Sequence, residues 1–190
     1  MTIAVIVVIL AVLLVPVLIL VVIYNSLVGK KNTAEQAFST IDVMLKKRYD
    51  LIPNLVATAQ AYMKHEAGTL TQIAGLRARA MAPGTGGDEQ VAINNQLTGM
   101  LRGLMVQVEN YPELKANENF MHLQRSLNEV EEQLQAARRT YNAAVTDFNN
   151  AVEMFPTNIV AGMMGYKRRP LFETPEAERQ NPNVAQLFKS

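Results

Sequence analysis

The 190 residues carry 18 Lys and Arg against 17 Asp and Glu, a net charge of +1 with the signs interspersed, and so lack the one-sided basic surface that nucleic-acid binding needs. Cysteine is absent, which excludes disulfides, thiolate nucleophiles and Cys-ligated metal sites. The hydrophobic fraction of 49% is ordinary, but much of it sits in one stretch near the start, leaving a polar remainder that fits exposed helices.

That stretch, residues 3–23, reads IAVIVVILAVLLVPVLILVVI, with no charge, amide or hydroxyl. As a helix rising about 1.5 Å per residue it spans the roughly 30 Å hydrocarbon layer of a bilayer. The sequence therefore predicts a membrane anchor over residues 1–24, marked by Ile3, Val7, Leu14, Pro16, Leu20, Ile23 and Tyr24. Tyr24 stands where an aromatic ring favours the interfacial layer, and Pro16 is a tolerable mid-membrane kink. A cleavable signal peptide would need a basic leading region and a shorter apolar run, and a buried core helix does not need this length. Lys30, Lys31, Lys46, Lys47 and Arg48 follow the run, so the positive-inside bias predicts an inner-membrane protein with its amino terminus outside and its body in the cytoplasm.

Residues 25–32 form a short juxtamembrane linker or a continuation of the helix, and the bundle domain is expected over residues 33–166. From Ala34 the apolar residues recur at steps of four and three, through Phe38, Ile41, Leu45, Ile52, Leu55, Ala59 and Tyr62, once Arg48 is allowed a place on the seam. Such a stripe belongs to a helix packed in bundle fashion. Pro53 lies inside it; because the register survives, a kink at the Tyr49 carbonyl is expected, with a break capped by Asp50 as the alternative. The strings Ile41-Asp42-Val43, Leu45-Lys46-Lys47-Arg48 and Asp50-Leu51-Ile52-Pro53-Asn54-Leu55 closely resemble the opening of the LemA family of bacterial membrane-anchored helical proteins.

A shorter helix is predicted over residues 69–81, presenting Leu70, Ile73, Leu76 or Arg77, and Ala80. The loop APGTGGD at residues 82–88 follows. It lacks a preceding strand and a following Lys, so it reads as a flexible connection and not as a phosphate cradle. The next helix runs from about residue 88 to about 111 on Leu97, Leu101, Leu104, Val108 and Tyr111, and Pro112 stops it. After a turn, Asn117 is a candidate N-cap for a second long helix. Its seam takes Phe120, Leu123, Leu127, Val130, Leu134, Ala137, Tyr141, Ala144, Phe148, Ala151 and Phe155, a length that requires antiparallel partners.

The LemA resemblance extends here through YPELKANENFMHLQ (111–124), AARRTYN (136–142), DFNNAVEMFPTNIVA (147–161) and PLFE (170–173), while Glu132 departs from the Asn or Asp usual in the family. A short turn at residues 158–164 ends at Gly165; Lys167, Arg168 and Arg169 then form a small basic group, and residues 167–190 read as a loosely held tail. The predicted fold is all-α: a transmembrane helix followed by an elongated antiparallel bundle of about four helices of LemA type.

Little in the sequence points to chemistry. His65, Glu66 and His122 lack metalloprotease spacing, and neither a nucleophile elbow nor a paired-carboxylate motif stands out. No enzyme activity, cofactor, metal, small-molecule substrate or nucleic acid is expected. The informative polar residues lie on or near the seams: Asp42, Arg48, Asp50, Arg138, Asn142 and Asn149. If buried, they must bond one another across helices, since an unpaired buried charge costs several kcal/mol, and so fix register. The resemblance implies a helical body and, through the family's magnetosome relatives, a link to membrane organisation. Two roles follow as expectations: a self-associating homo-oligomeric scaffold in the lipid bilayer, or an adaptor subunit of another membrane protein such as a protease or signalling component.

Overall fold

In the computed structural model, which describes residues 1–84 and 87–172, every regular element is a helix. Helix α1 (Thr2–Gln60) has 59 residues, running without interruption through residues 25–32 and through Pro53. The juxtamembrane stretch is thus helix continuation, and no break capped by Asp50 occurs. A 3-10 turn (Lys64–Glu66) leads to α2 (Ala67–Ala80), followed by α3 (Gly87–Val108), the single turn α4 (Pro112–Lys115), α5 (Glu118–Glu153) and α6 (Thr157–Met163). Residues 85 and 86 of the predicted glycine loop, and all of the predicted tail beyond residue 172, lie outside the described residues.

The chain divides into two compact units. One combines Met1–Ile41 with Gln135–Phe172, and the other is built on Asp42–Leu134.

In the first unit α1 and α5 run antiparallel. Phe38 meets the Tyr141 ring at 5.7 Å between centroids, while eleven residues earlier Leu27 lies in a cluster with Ala151 and Val152. Val160 and Ala161 of α6 complete that cluster, with Ile23, Met164 and Tyr166 around it. Small side chains at Ala34, Ala37, Ala137 and Ala144, all buried, line the α1 and α5 faces in this unit. Phe155 departs from the predicted seam: α5 ends at Glu153 and Phe155 is 79% exposed. Pro156 is the reason, because its ring disfavours helical backbone at Phe155 and its nitrogen has no proton for the ladder.

In the second unit the apolar stripes of α1, α2, α3 and α5 supply a buried core that includes Ile52, Leu55, Leu70, Ile73, Leu97, Leu104, Phe120 and Leu127. Asn117 caps α5 as expected, its Oδ1 accepting the Phe120 N–H at 3.0 Å while its amide donates to the Tyr62 hydroxyl at 3.2 Å.

Candidate functional site

Three features stand out against this frame. The first is the anchor. Only 11% of its most apolar window is buried within the chain, so it is not the core helix of a globular fold. Ile3, Leu14, Pro16, Leu20 and Tyr24 are exposed and Ile23 is half-buried, while the side chain of Val7 lies outside what is described. A segment whose described residues bury almost none of their apolar surface in protein needs another apolar medium, and a bilayer supplies one.

The second is a buried polar network in the Asp42–Leu134 unit. Arg48, 3% exposed, donates from Nη2 to the Thr98 hydroxyl at 2.9 Å, and its Nη1 lies 3.2 Å from the Glu131 carboxylate. Thr98 in turn donates to the Asn94 carbonyl at 2.9 Å. The neighbouring Tyr49 hydroxyl donates to Asn94 Oδ1 at 2.7 Å, and the Asn94 amide returns to the Gln90 carbonyl at 2.9 Å. A cavity of about 110 Å³ adjoins this network, lined in part by Arg48, Thr98, Asn128 and Glu131, which is polar enough and large enough to hold water.

One further bond explains how Pro53 is accommodated. Pro53 cannot donate to the Tyr49 carbonyl, and Arg77 Nε does so instead at 2.7 Å. The polar atom that proline orphans in α1 is thereby satisfied from α2. This fixes the pairing of the two helices while keeping α1 continuous.

The third feature is a strap over residues 166–172 that lies along α5 in the other unit. Asn149 holds the Arg169 backbone with two bonds: its amide donates to the carbonyl, and its Oδ1 accepts the N–H, each at 2.9 Å. Asn142 repeats this with Phe172, at 3.0 and 2.8 Å. The spacings match, since seven helical residues advance about 10.5 Å and three extended residues about 10 Å. Between the clamps Tyr141 donates to the Pro170 carbonyl at 3.2 Å, at a residue whose missing N–H is not called upon. Arg169 stacks over the Phe148 ring at 5.4 Å and bonds Glu35 at 2.8 Å, while Arg138 covers the Phe172 ring at 5.4 Å. The Glu35 carboxyl is held below its ordinary range, chiefly by the bond from Arg169, and burial pushes the Tyr141 hydroxyl upward.

The six polar residues picked from the sequence therefore do not form a single mutually bonded set. Asp42, Arg48 and Asp50 fall in one unit and Arg138, Asn142 and Asn149 in the other. Asp42 and Asp50 are exposed, with partial desolvation raising the Asp42 carboxyl. Arg48 is matched by Thr98 and Glu131, whereas Asn142 and Asn149 bond a backbone. The sequence reading missed Glu131, Asn94, Thr98 and Arg77 as partners, although Arg77 already appeared as an alternative to Leu76 on the α2 stripe. His65 and His122 are exposed, and among the described residues no three His, Asp or Glu side chains converge as a metal site would require.

What these features define is a membrane-associated, all-helical protein with an uncovered apolar anchor and structural polar devices on its helices. A family model described as the LemA family matches residues 37–185, and the chain belongs to that family. It is 26% identical over 163 residues to Protein LemA of Metamycoplasma hominis, covering 86% of this chain and 74% of that one. It is 25% identical to Magnetosome protein MamQ 2 of Paramagnetospirillum magneticum and 24% identical to Magnetosome protein MamQ of Magnetospirillum gryphiswaldense, in each case over 87% of this chain and 70% of the relative.

Proposed function

We propose that the protein is a non-catalytic, single-pass scaffold of the inner membrane that self-associates and organises the membrane around it. The observation that carries this reading is the contrast within the chain. Its anchor is uncovered on nearly all described faces, while the buried Arg48 and Asn149 are engaged in bonds that hold helices and strap in place. The magnetosome naming of two relatives favours a role tied to membrane organisation. Lys30, Lys31, Lys46 and Lys47, close after the apolar run, support a cytoplasmic body with the amino terminus outside. Digestion of the body by protease added outside sealed cells would remove that orientation.

Self-association is tested by sizing the full chain in mild detergent and after reconstitution into lipid. Discrete oligomers or assemblies are expected, and monomers under both conditions overturn the scaffold. An adaptor role is the second reading, favoured by an open cleft of about 550 Å³ between α2 and α3, lined by residues including Gly75, Leu76, Gly99 and Met100. A stoichiometric foreign partner on purification from the native host decides for it.

A further inference from the structure

The unit that carries the anchor ends in a second apolar surface that the fold leaves uncovered. Met154 (63% exposed), Phe155 (79%), Ile159 (56%) and Met163 (83%) project from the α5–α6 turn and from one face of α6, where Ile159 and Met163 are one helical turn apart. The opposite face of α6, Val160 and Ala161, packs on Leu27. The large apolar side chains are thus exposed, and they are gathered around the α5–α6 turn. Isolated exposed apolar residues are common, but four together at a helix tip indicate an apolar contact.

The register of α1 against α5 says what that contact is. Phe38 meets Tyr141, and Leu27 shares a cluster with Ala151 and Val152, so the antiparallel pairing sets Glu153, the last residue of α5, about level with Ser26 and brings the α5–α6 turn to the level where the apolar run ends. Tyr24 follows directly on the apolar run that ends at Ile23, at the depth where a bilayer passes from acyl chains to headgroups. Ile23 itself belongs to the cluster that seats α6. The charges nearby suit the same depth. Glu153 is held by Arg168 at 3.0 Å, Lys31 lies 6.0 Å from the centre of the Tyr166 ring, and Lys30 adds a further cation for lipid phosphates.

We propose that the α5–α6 tip is a second membrane contact, with Phe155, Met154, Ile159 and Met163 seated in the interfacial layer of the same phospholipid bilayer that holds the anchor. Together, anchor and tip fix the tilt and rotation of this unit at the membrane surface, which a single spanning helix cannot do. The inference rests on reading residues 3–23 as spanning the bilayer, and the test separates the two claims.

The chain has no Trp, so single-Trp variants of the full-length protein report their own surroundings. Val15→Trp reports the anchor, Phe155→Trp the tip, and Phe38→Trp a site fourteen residues past Tyr24 on the same helix. Each is reconstituted in phosphatidylcholine vesicles with and without bromine on the acyl chains. We expect Val15→Trp and Phe155→Trp to lose about half or more of their emission to brominated lipid and Phe38→Trp to lose almost none. Adding Met154→Ser, Ile159→Ser and Met163→Ser, all at exposed positions, should reduce quenching of Phe155→Trp at least twofold while helical content is retained. Quenching at Val15 without quenching at Phe155 overturns the tip alone. Absence of both overturns the anchor with it. A blue-shifted, unquenched Phe155→Trp that reverts on dilution into excess lipid assigns the tip to a second copy of the chain and likewise overturns the proposal.

Discussion

The two units solve the same problem, a polar group on an apolar seam, with different chemistry. In the Asp42–Leu134 unit a full charge, Arg48, is taken out of water and must be matched by Glu131 and Thr98. In the anchor-bearing unit the neutral amides of Asn142 and Asn149 each satisfy one backbone N–H and one carbonyl of the strap, whose polar groups no sheet or helix would otherwise satisfy. Burying a charge costs far more than burying an amide, so the ion pair concentrates its consequences at one point. The amide ladder spreads smaller ones along a segment. The difference teaches that polar residues at heptad positions can specify either which helices meet or which irregular segment lies on them.

Breaking the charged device should have the largest effect. Arg48→Met leaves Glu131 and Thr98 facing an apolar side chain and should lower stability by about 3 kcal/mol, read by denaturant unfolding of the detergent-solubilised protein. Adding Glu131→Leu should recover a large part of that loss; no recovery would show that the pair is not the source. Asn149→Ala should cost about 2 kcal/mol but act locally, with amide exchange at Arg169 and Phe172 accelerating before that of α5 does. Equal acceleration throughout would mean that the strap is part of the global fold and not a separable segment.

Arg77→Met orphans the Tyr49 carbonyl and should cost about 1–2 kcal/mol. In a Pro53→Ala background, where residue 53 regains the N–H that α1 lacks at this point, the cost should fall to below about 0.5 kcal/mol. Additive effects in that cycle would disprove the compensation. The smallest effect concerns Glu35, whose carboxyl Arg169 holds below its ordinary value of 4.5. Its contribution is fully present above that value and is lost as the pH falls through the lowered value. The unfolding temperature of Glu35→Gln should therefore fall less steeply than that of the unaltered chain on acidification below about pH 4.5. Asp42 has the opposite sign: burial raises its carboxyl above 3.8, so Asp42→Asn removes a small loss of stability that sets in as the pH rises through this window.

Much of this was legible in the chain because its signals are local. The step of four and three residues located the helices to within a few positions, and Pro112 and Asn117 marked the approach to α5 and its cap. Arg48, placed on a seam by spacing alone, is buried. The Tyr49 carbonyl, where proline geometry placed the expected kink, is the acceptor that Arg77 reaches. Its donor was not legible, because Arg77 lies twenty-eight residues away and a one-residue shift on α2 would have presented Leu76. Asn142 and Asn149 were legible as a heptad-spaced pair, but not as clamps on the strap, since hydrogen bonding to an extended backbone leaves no periodic trace in the segment held.

By itself the sequence determined that a greasy helix leads into an all-helical body, because hydrophobic run length and helical period depend only on neighbours along the chain, and its motif strings carried the resemblance to the LemA family. Which polar groups meet was decided by tertiary structure. Side chains from twenty to more than a hundred residues apart become partners only when packing sets the rotation and offset of each helix, and no local pattern encodes those two quantities.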